Sequence, residues 1–571
     1  MPLYTLYAGL VVVVVLLFRR LTSIGQRPKD FPPGPPTLPL VGNLHQIPSE
    51  KRHLQFEKWA REYGPVYSLM LGSKVMVVLN SDVAVKELID RRGAIYSSRP
   101  EAYVAQDILS GGLRILFMVY ILSCAQRTFP WAVDVGSQDR APCLERIGGK
   151  NVRAVSRLGE QGDALGFLES PGDFINHLRR YTASLTTQMT FGFRTTTLHD
   201  PRFKEAFEIF DRSSELIGSR IGALLDLVPM LRNLPELLLP IKKEGRELHL
   251  RELKLYRDLF LSTKKGLQNG TAKVSKSLSL HNPTATLTKI LQPSICVDLV
   301  QEQKQEQISD NQSAYFGGSL LQAGSETTSA ILVAFVQAMV IYPDVTRAAQ
   351  AELDHVCGDR LPNLNDVPHL PYIRACAKES LRWMPGFALG IPHAVTRDDV
   401  YMNYRIPKGA TVIMNVWAIQ NDPQRHPDPR RFDPLRYIDD QQTSLDAANC
   451  PDATKRDHFA FGAGRRRCQG MHLADRSIFL AISRLLWAFD FKRAVVDGQE
   501  ATPDQDDLLD GMMMLPNPFP AGIRPRNAAR ADVVRKEWEQ MMERLDGEQQ
   551  WKEVPEGLIW KDEQMSEAQQ A

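Results

Sequence analysis

The run Phe461, Gly462, Ala463, Gly464, Arg465, Arg466, Arg467, Cys468, Gln469, Gly470 puts a thiol, three guanidiniums and three glycines into one loop. Ala474, Ile478, Ala481, Leu485 and Ala488 follow at helical spacing, which predicts Cys468 just ahead of a helix N-terminus. Unpaired N–H groups and the positive end of the helix dipole favour a thiolate there. An isolated cysteine is more often a small buried hydrophobe; the fixed loop around this one argues otherwise. A second stretch, Ala323, Gly324, Ser325, Glu326, Thr327, Thr328, sets a carboxyl beside an alcohol. Such a pair can pass protons through water, and Gly324 would let a small ligand approach the backbone. A third pair, Glu379 and Arg382, stands at i, i+3, so acid and guanidinium share one helix face.

These residues need scaffolding elements, and the sequence supplies them. Ser309 can cap a helix while Gln312 reaches back as a capping box, and the helical pattern then runs to about Tyr342, before Pro343. That helix carries Glu326 and Thr327. Helical spacing also covers 173–193 and 201–261, broken by Pro229 and Pro235. Tyr67 to Met70 and Val75 to Leu79, around Gly72 and Ser73, read as a hairpin, and Pro392 to Trp417 as short strands with turns at Asn403 and at Lys408, Gly409. Pro32, Pro33, Pro35 and Pro36 cannot continue a helix and read as a stiff linker.

The first 18 residues carry no charge and end at Arg19 and Arg20. A cleaved signal peptide would place its positive charge ahead of the apolar run, so residues 1–20 are expected to be a signal-anchor, with everything after residue 20 in the cytoplasm. Sixty-nine basic against 67 acidic residues and 43% hydrophobic residues allow a large core and give no nucleic-acid footprint. Seven cysteines without paired spacing exclude a disulfide framework or a CxxC zinc site.

The loop F-x-x-G-x-R-x-C-x-G resembles the haem-binding loop of the cytochrome P450 superfamily, with Phe461, Gly464, Arg466, Cys468 and Gly470 at its defining positions. The stretch around Glu326 and Thr327 resembles the family's oxygen-activating signature, Glu379 to Arg382 its E-x-x-R, and Pro429, Arg430, Arg431, Phe432 its P-x-R-F. The resemblance implies a mainly α fold with a minor β domain over 37–526, after a 21–36 basic and proline-rich linker. It implies haem b with Cys468 as axial ligand to iron, His393 at a haem-propionate contact, Glu326 and Thr327 delivering protons, and Glu379, Arg382 and Arg431 as one internal charge cluster. Electrons would come from NADPH through NADPH–cytochrome P450 reductase, with cytochrome b5 as an additional donor. The substrate would be an apolar small molecule, oxygenated in fungal secondary metabolism or xenobiotic oxidation. The hinge and the Phe432 to Tyr437 region resemble fungal microsomal members of the O-methylsterigmatocystin oxidoreductase-like type, implying a single pass through the endoplasmic reticulum membrane. Two other classes stay open: an oxygen-independent haem-thiolate isomerase or dehydratase, and a catalytically impaired membrane haemoprotein.

Two stretches depart from the family pattern. Most relatives carry a propionate-binding W-x-x-x-R after the position of Tyr120; here Trp131 is followed four residues later by Val135, and 119–150 has little helical periodicity. Residues 274–292 form the second departure. Each is either a genuine loop or translated intron. Beyond Arg526 a charged extension, 527–571, is expected to be weakly docked or disordered, although Val534, Trp538, Met541 and Leu545 could form one apolar stripe.

Overall fold

The computed structural model describes residues 22–118, 164–268, 294–509 and 511–553, with Tyr7, Leu16 and Arg19 ahead of them. The expected anchor at 1–20 and the departures at 119–150 and 274–292 lie outside the described residues. In chain order, the helices of eight residues or more and the strands are α1 Arg52–Tyr63, β1 Val66–Leu71, β2 Lys74–Leu79, α2 Phe174–Phe191, α3 Pro201–Gly218, α4 Arg220–Leu227, α5 Pro240–Gln268, α6 Ile295–Glu306, α7 Asp310–Ile341, α8 Pro343–Val356, α9 Pro371–Trp383, β3 His393–Ala394, β4 Asp399–Tyr401, β5 Tyr404–Ile406, β6 Thr411–Met414, α10 Met471–Ala488, β7 Phe489–Val496, β8 Gln499–Ala501, β9 Ala521–Pro525 and α11 Ala528–Glu543. The fold is mainly helical with a small sheet region, as expected.

The predicted hairpin is the antiparallel pair β1–β2, and β6 then β3 extend it to the order β1-β2-β6-β3. Helix α7 forms the axis of the helical part. Ser309 caps it and Gln312 completes the capping box, as the sequence predicts. From Ile331 to Val340 every residue is buried, and all but Gln337 are apolar, so that stretch buries every side, as a core helix does. Among the described residues it is the one helix long and apolar enough to cross a membrane, but 83% of its apolar window is buried inside the protein. It packs along α2 and α5 and against α10.

The proline-rich linker, read from the sequence as stiff, is also bonded to β1: Arg27 donates to the carbonyls of Gly34, Pro35 and Ser68, and Ser68 of β1 bonds the Pro32 and Pro33 carbonyls. One expectation needs correction: the described part of the C-terminal extension, residues 527–553, is not loose. Arg530 bonds the Trp487 carbonyl at 2.7 Å and Asp354 at 2.6 Å. Ala531, Val534, Met541, Leu545 and Trp551 are buried, and the Trp551 ring lies under the guanidinium of Arg194. The apolar stripe read from the sequence prevails over the charged composition because the partners lie hundreds of residues away.

Candidate active site

The cysteine loop is closed by its own backbone: the Cys468 N–H donates to the Phe461 carbonyl at 2.9 Å. Gly462 and Gly464 have φ of +69° and +63°, a region that L side chains avoid. A methyl group on Gly464 would also lie 2.2 Å from the Ile89 carbonyl oxygen. The Gly464 N–H donates to Asp90 at 2.5 Å, and Arg456 donates to the Gly462 carbonyl. The Phe461 ring stands edge-on to His458 at 5.3 Å. Gly470 caps α10, so Cys468 does precede a helix N-terminus.

The Cys468 side chain is reached by solvent, although many protein atoms crowd around it. Loss of water there, and after it the Asp475 carboxylate, push the thiol pKa up against the opposing Gly470 N–H and Arg467 charge. The helix start favours a thiolate through the Gly470 N–H, as read from the sequence, while desolvation opposes it. A bound metal ion deprotonates such a thiol outright.

On α7, Thr327 donates its Oγ1 proton to the Ala323 carbonyl at 2.6 Å. Ala323 is exposed and Thr327 half-buried, so these two, one turn apart, share an open face. Glu326 is turned about 100° away and is buried. Its carboxyl pKa is raised well above the ordinary value by burial; Arg179 opposes that and Asp211 adds to it. Glu326 lines a cleft of about 30 Å³, roomy enough to hold water, with Thr187, Arg202, Phe207 and Gln322. Gly324 does not serve a small ligand as expected. A Cβ there would meet the Thr186 hydroxyl at 2.9 Å, so this glycine lets α2 approach α7 closely.

Glu379 and Arg382 are fully buried and paired through two bonds of 2.7 Å. Arg431 is not their partner: it pairs with Asp344 at 2.6 Å on the surface, where both side chains are about half exposed. The second guanidinium is Arg436, 3.5 Å from Glu379 and 11% exposed, in the turn Pro434–Tyr437. Pro434, Leu435, Arg436, Tyr437 is itself a P-x-R-aromatic run, five residues after the one first read. The cluster reaches the cysteine loop through Gln420, which was not foreseen. Arg382 donates to its carbonyl at 2.8 Å, and its Oε1 accepts from the Phe459 N–H at 2.6 Å.

A group of positive charge adjoins the loop. Arg466 bonds the carbonyls of Ser97 and Met118. Arg99, missed in the sequence, bonds those of Leu116, Ile391 and Pro392. Burial first, and then the neighbouring Arg466 charge, pull the Arg99 pKa down to about 9. His393 is buried with its Nδ1 2.7 Å from the Tyr96 carbonyl; burial and then Arg99 drive its pKa down to about 3. A buried cation such as Arg99 is costly without an anion. This set suits a ligand that brings carboxylates, beside a sulfur donor, and haem is such a ligand.

Fold, cysteine loop and cationic group together define a haem-thiolate protein. Residues 32–520 match the family described as Cytochrome P450, and the chain belongs to that family. It is 56% identical to Cytochrome P450 monooxygenase fogE of Aspergillus ruber, over 97% of this chain and 98% of that protein. It is 54% identical to Cytochrome P450 monooxygenase virE of Hypocrea virens over 96% and 95%, and 43% identical to Cytochrome P450 monooxygenase fsoB of Humicola fuscoatra over 96% and 97%. The protein is a haem-thiolate monooxygenase, an oxidoreductase that takes its electrons from a reductase. The isomerase and impaired-haemoprotein readings find no support in these relatives.

Proposed function

We propose that Cys468 is the axial ligand of haem and that the haem carboxylates lie against Arg99 and Arg466, with His393 joining them only when protonated. The observation that carries this reading is the solvent-reached Cys468 sulfur with the Gly470 N–H directed to it and, beside the loop, the guanidiniums of buried Arg99 and half-buried Arg466. Bound haem supplies the iron chemistry of oxygen activation. Phe461, Gly464 and Gly470 hold the loop shape that presents the sulfur, and Glu379, Arg382 and Arg436 fix the loop from behind. Thr327 holds a proton at Oγ1 on the open face of α7. Glu326, whose proton affinity is raised by burial, takes protons from water in its cleft and passes them around the helix toward that hydroxyl.

In this reading NADPH supplies the electrons through NADPH–cytochrome P450 reductase, with cytochrome b5 as an additional donor. One oxygen atom enters an apolar small molecule of fungal secondary metabolism or xenobiotic oxidation. Residues 1–20 anchor the enzyme once in the endoplasmic reticulum membrane with the catalytic part in the cytoplasm. Exposed Ile221, Leu224, Met230, Leu237 and Leu238 give that part a second apolar contact with the bilayer. Residues 119–150 are proposed to be gene-model sequence; transcript sequencing across them should restore W-x-x-x-R, and a continuous message would refute this. Cys468→Ala should abolish the red-shifted band of the ferrous carbonyl complex, and an unchanged band would overturn the ligand assignment. Thr327→Ala should keep the band but divert NADPH to peroxide; wild-type product per NADPH would rule out the relay.

A further inference from the structure

The most heavily bonded carboxylate among the described residues outside this site is Glu252 on α5. Both its oxygens accept from Arg114 Nη2, at 2.6 and 2.7 Å. Tyr315 of α7 donates to it at 2.6 Å and Tyr256 at 3.1 Å, and Gln322 of α7 lies at 3.4 Å. Arg114 Nη1 donates to Gln322 at 2.9 Å, and His249 Nδ1 meets the Tyr315 hydroxyl at 2.8 Å. Arg114, Glu252, Tyr256 and Tyr315 are all buried. A buried ion pair of this kind is poor evidence of stabilisation, since apolar residues of equal volume often serve as well. What a network this densely bonded does impose, even with Arg114 Nε left without an acceptor, is one arrangement of the elements it joins.

Those elements are α5, α7 and the segment 114–118. The segment's other end touches the cationic group: Leu116 and Met118 supply the carbonyls bonded by Arg99 and Arg466. Gln322 directly precedes the exposed Ala323 and lies one turn before Glu326. Arg114 thus holds in register a wall that runs from the proton-relay helix to the cysteine loop, and Leu116, 38% exposed, is an apolar side chain on that wall.

We propose that Arg114 and Glu252 are positioning residues that set the shape of the oxidation cleft and so select among apolar substrates by bulk. This rests on the proposed reading in which Cys468 holds haem and Thr327 lies on the side where oxidation takes place. The test uses the haem-loaded full-length enzyme and two azole probes, imidazole and 4-phenylimidazole, titrated by their spectral shifts. Arg114→Met combined with Glu252→Leu removes both charges at similar volume. The ferrous carbonyl band and imidazole affinity should stay as in the unaltered enzyme, while 4-phenylimidazole affinity changes about tenfold, the scale a hydrophobic pocket attaches to a methylene-sized misfit. An unchanged ratio of the two affinities, whatever the thermal stability, would reduce the pair to a merely structural role and overturn the proposal. Should the double variant fail to hold haem, Tyr315→Phe and Gln322→Met each remove one side of the network. A shift in the same ratio supports the proposal, and an unmoved ratio in both overturns it. Failure of imidazole to shift the spectrum of the unaltered enzyme would instead sink the site reading beneath it.

Discussion

Replacing Arg436 and Arg431 separately by alanine tests which guanidinium completes the internal charge cluster. Arg436 Nε stands 3.5 Å from a Glu379 carboxylate that is fully buried, and its own side chain is 11% exposed. Removing one partner of a buried pair costs about 3–5 kcal/mol because a charge is left uncompensated. Glu379 keeps both bonds to Arg382 and the Asp433 N–H at 2.9 Å, so the lower end, about 3 kcal/mol, is expected. The Arg431–Asp344 pair is exposed by 47% and 51%, where an ion pair contributes about 0–1 kcal/mol. The assay is urea unfolding of each haem-loaded variant, followed by the loss of haem absorbance and helical signal together. Arg436→Ala should unfold and release haem at clearly lower denaturant, and Arg431→Ala should be nearly indistinguishable from wild type. Equal damage from both changes, or from Arg431→Ala alone, would refute the assignment.

Gly464→Ala meets both a positive φ and the Ile89 carbonyl at 2.2 Å, so it should lose the thiolate carbonyl band while helix content by circular dichroism is largely kept; a normal band would contradict the loop argument. Truncation after Asn527 removes Arg530 and the buried Trp551, and should lower the thermal midpoint of haem release; an unchanged midpoint would return the extension to a loose tail. Burial raises the Asp475 carboxyl pKa to about 6 against the opposing Ser444 bonds, so the native state holds an extra proton between about pH 4 and 6 and loses stability as pH rises through that window. Asp475→Asn should be more stable than wild type at pH 7 by about 1–2 kcal/mol, half the full shift being discounted for the half-buried position. The advantage should vanish near pH 4; a constant difference at both values would refute it.

What the sequence disclosed was local. The Ser309–Gln312 cap involves neighbours three residues apart and was readable to the residue, and the cysteine loop carries its own closing bond and glycine turns. What it hid depends on distant partners. Arg99 bonds carbonyls 292 and 293 residues away, so nothing near it marks it as different from other arginines. Two P-x-R-aromatic runs lie five residues apart, and only the packing of Pro434–Tyr437 on α9 selects the second. Gly324 looked like a ligand gap because its neighbours carry chemistry, but which face of α7 a position occupies is settled by what packs there, and there it is Thr186.

The docking of α11 bears on when the enzyme can acquire its prosthetic group. The Trp487 carbonyl at the far end of the helix that Cys468 precedes finds its donors in Arg526 and Arg530, and Gln550 and Trp551 then fasten the chain back onto Arg194. A polypeptide emerging from the ribosome in order has made every part of the haem pocket before it makes these residues. Support for the end of α10 is therefore completed only after Arg526, Arg530 and Trp551 have been made, and stable haem capture follows that point. A chain that stops before Arg526 is short of an end-support for α10 rather than of an expendable tail.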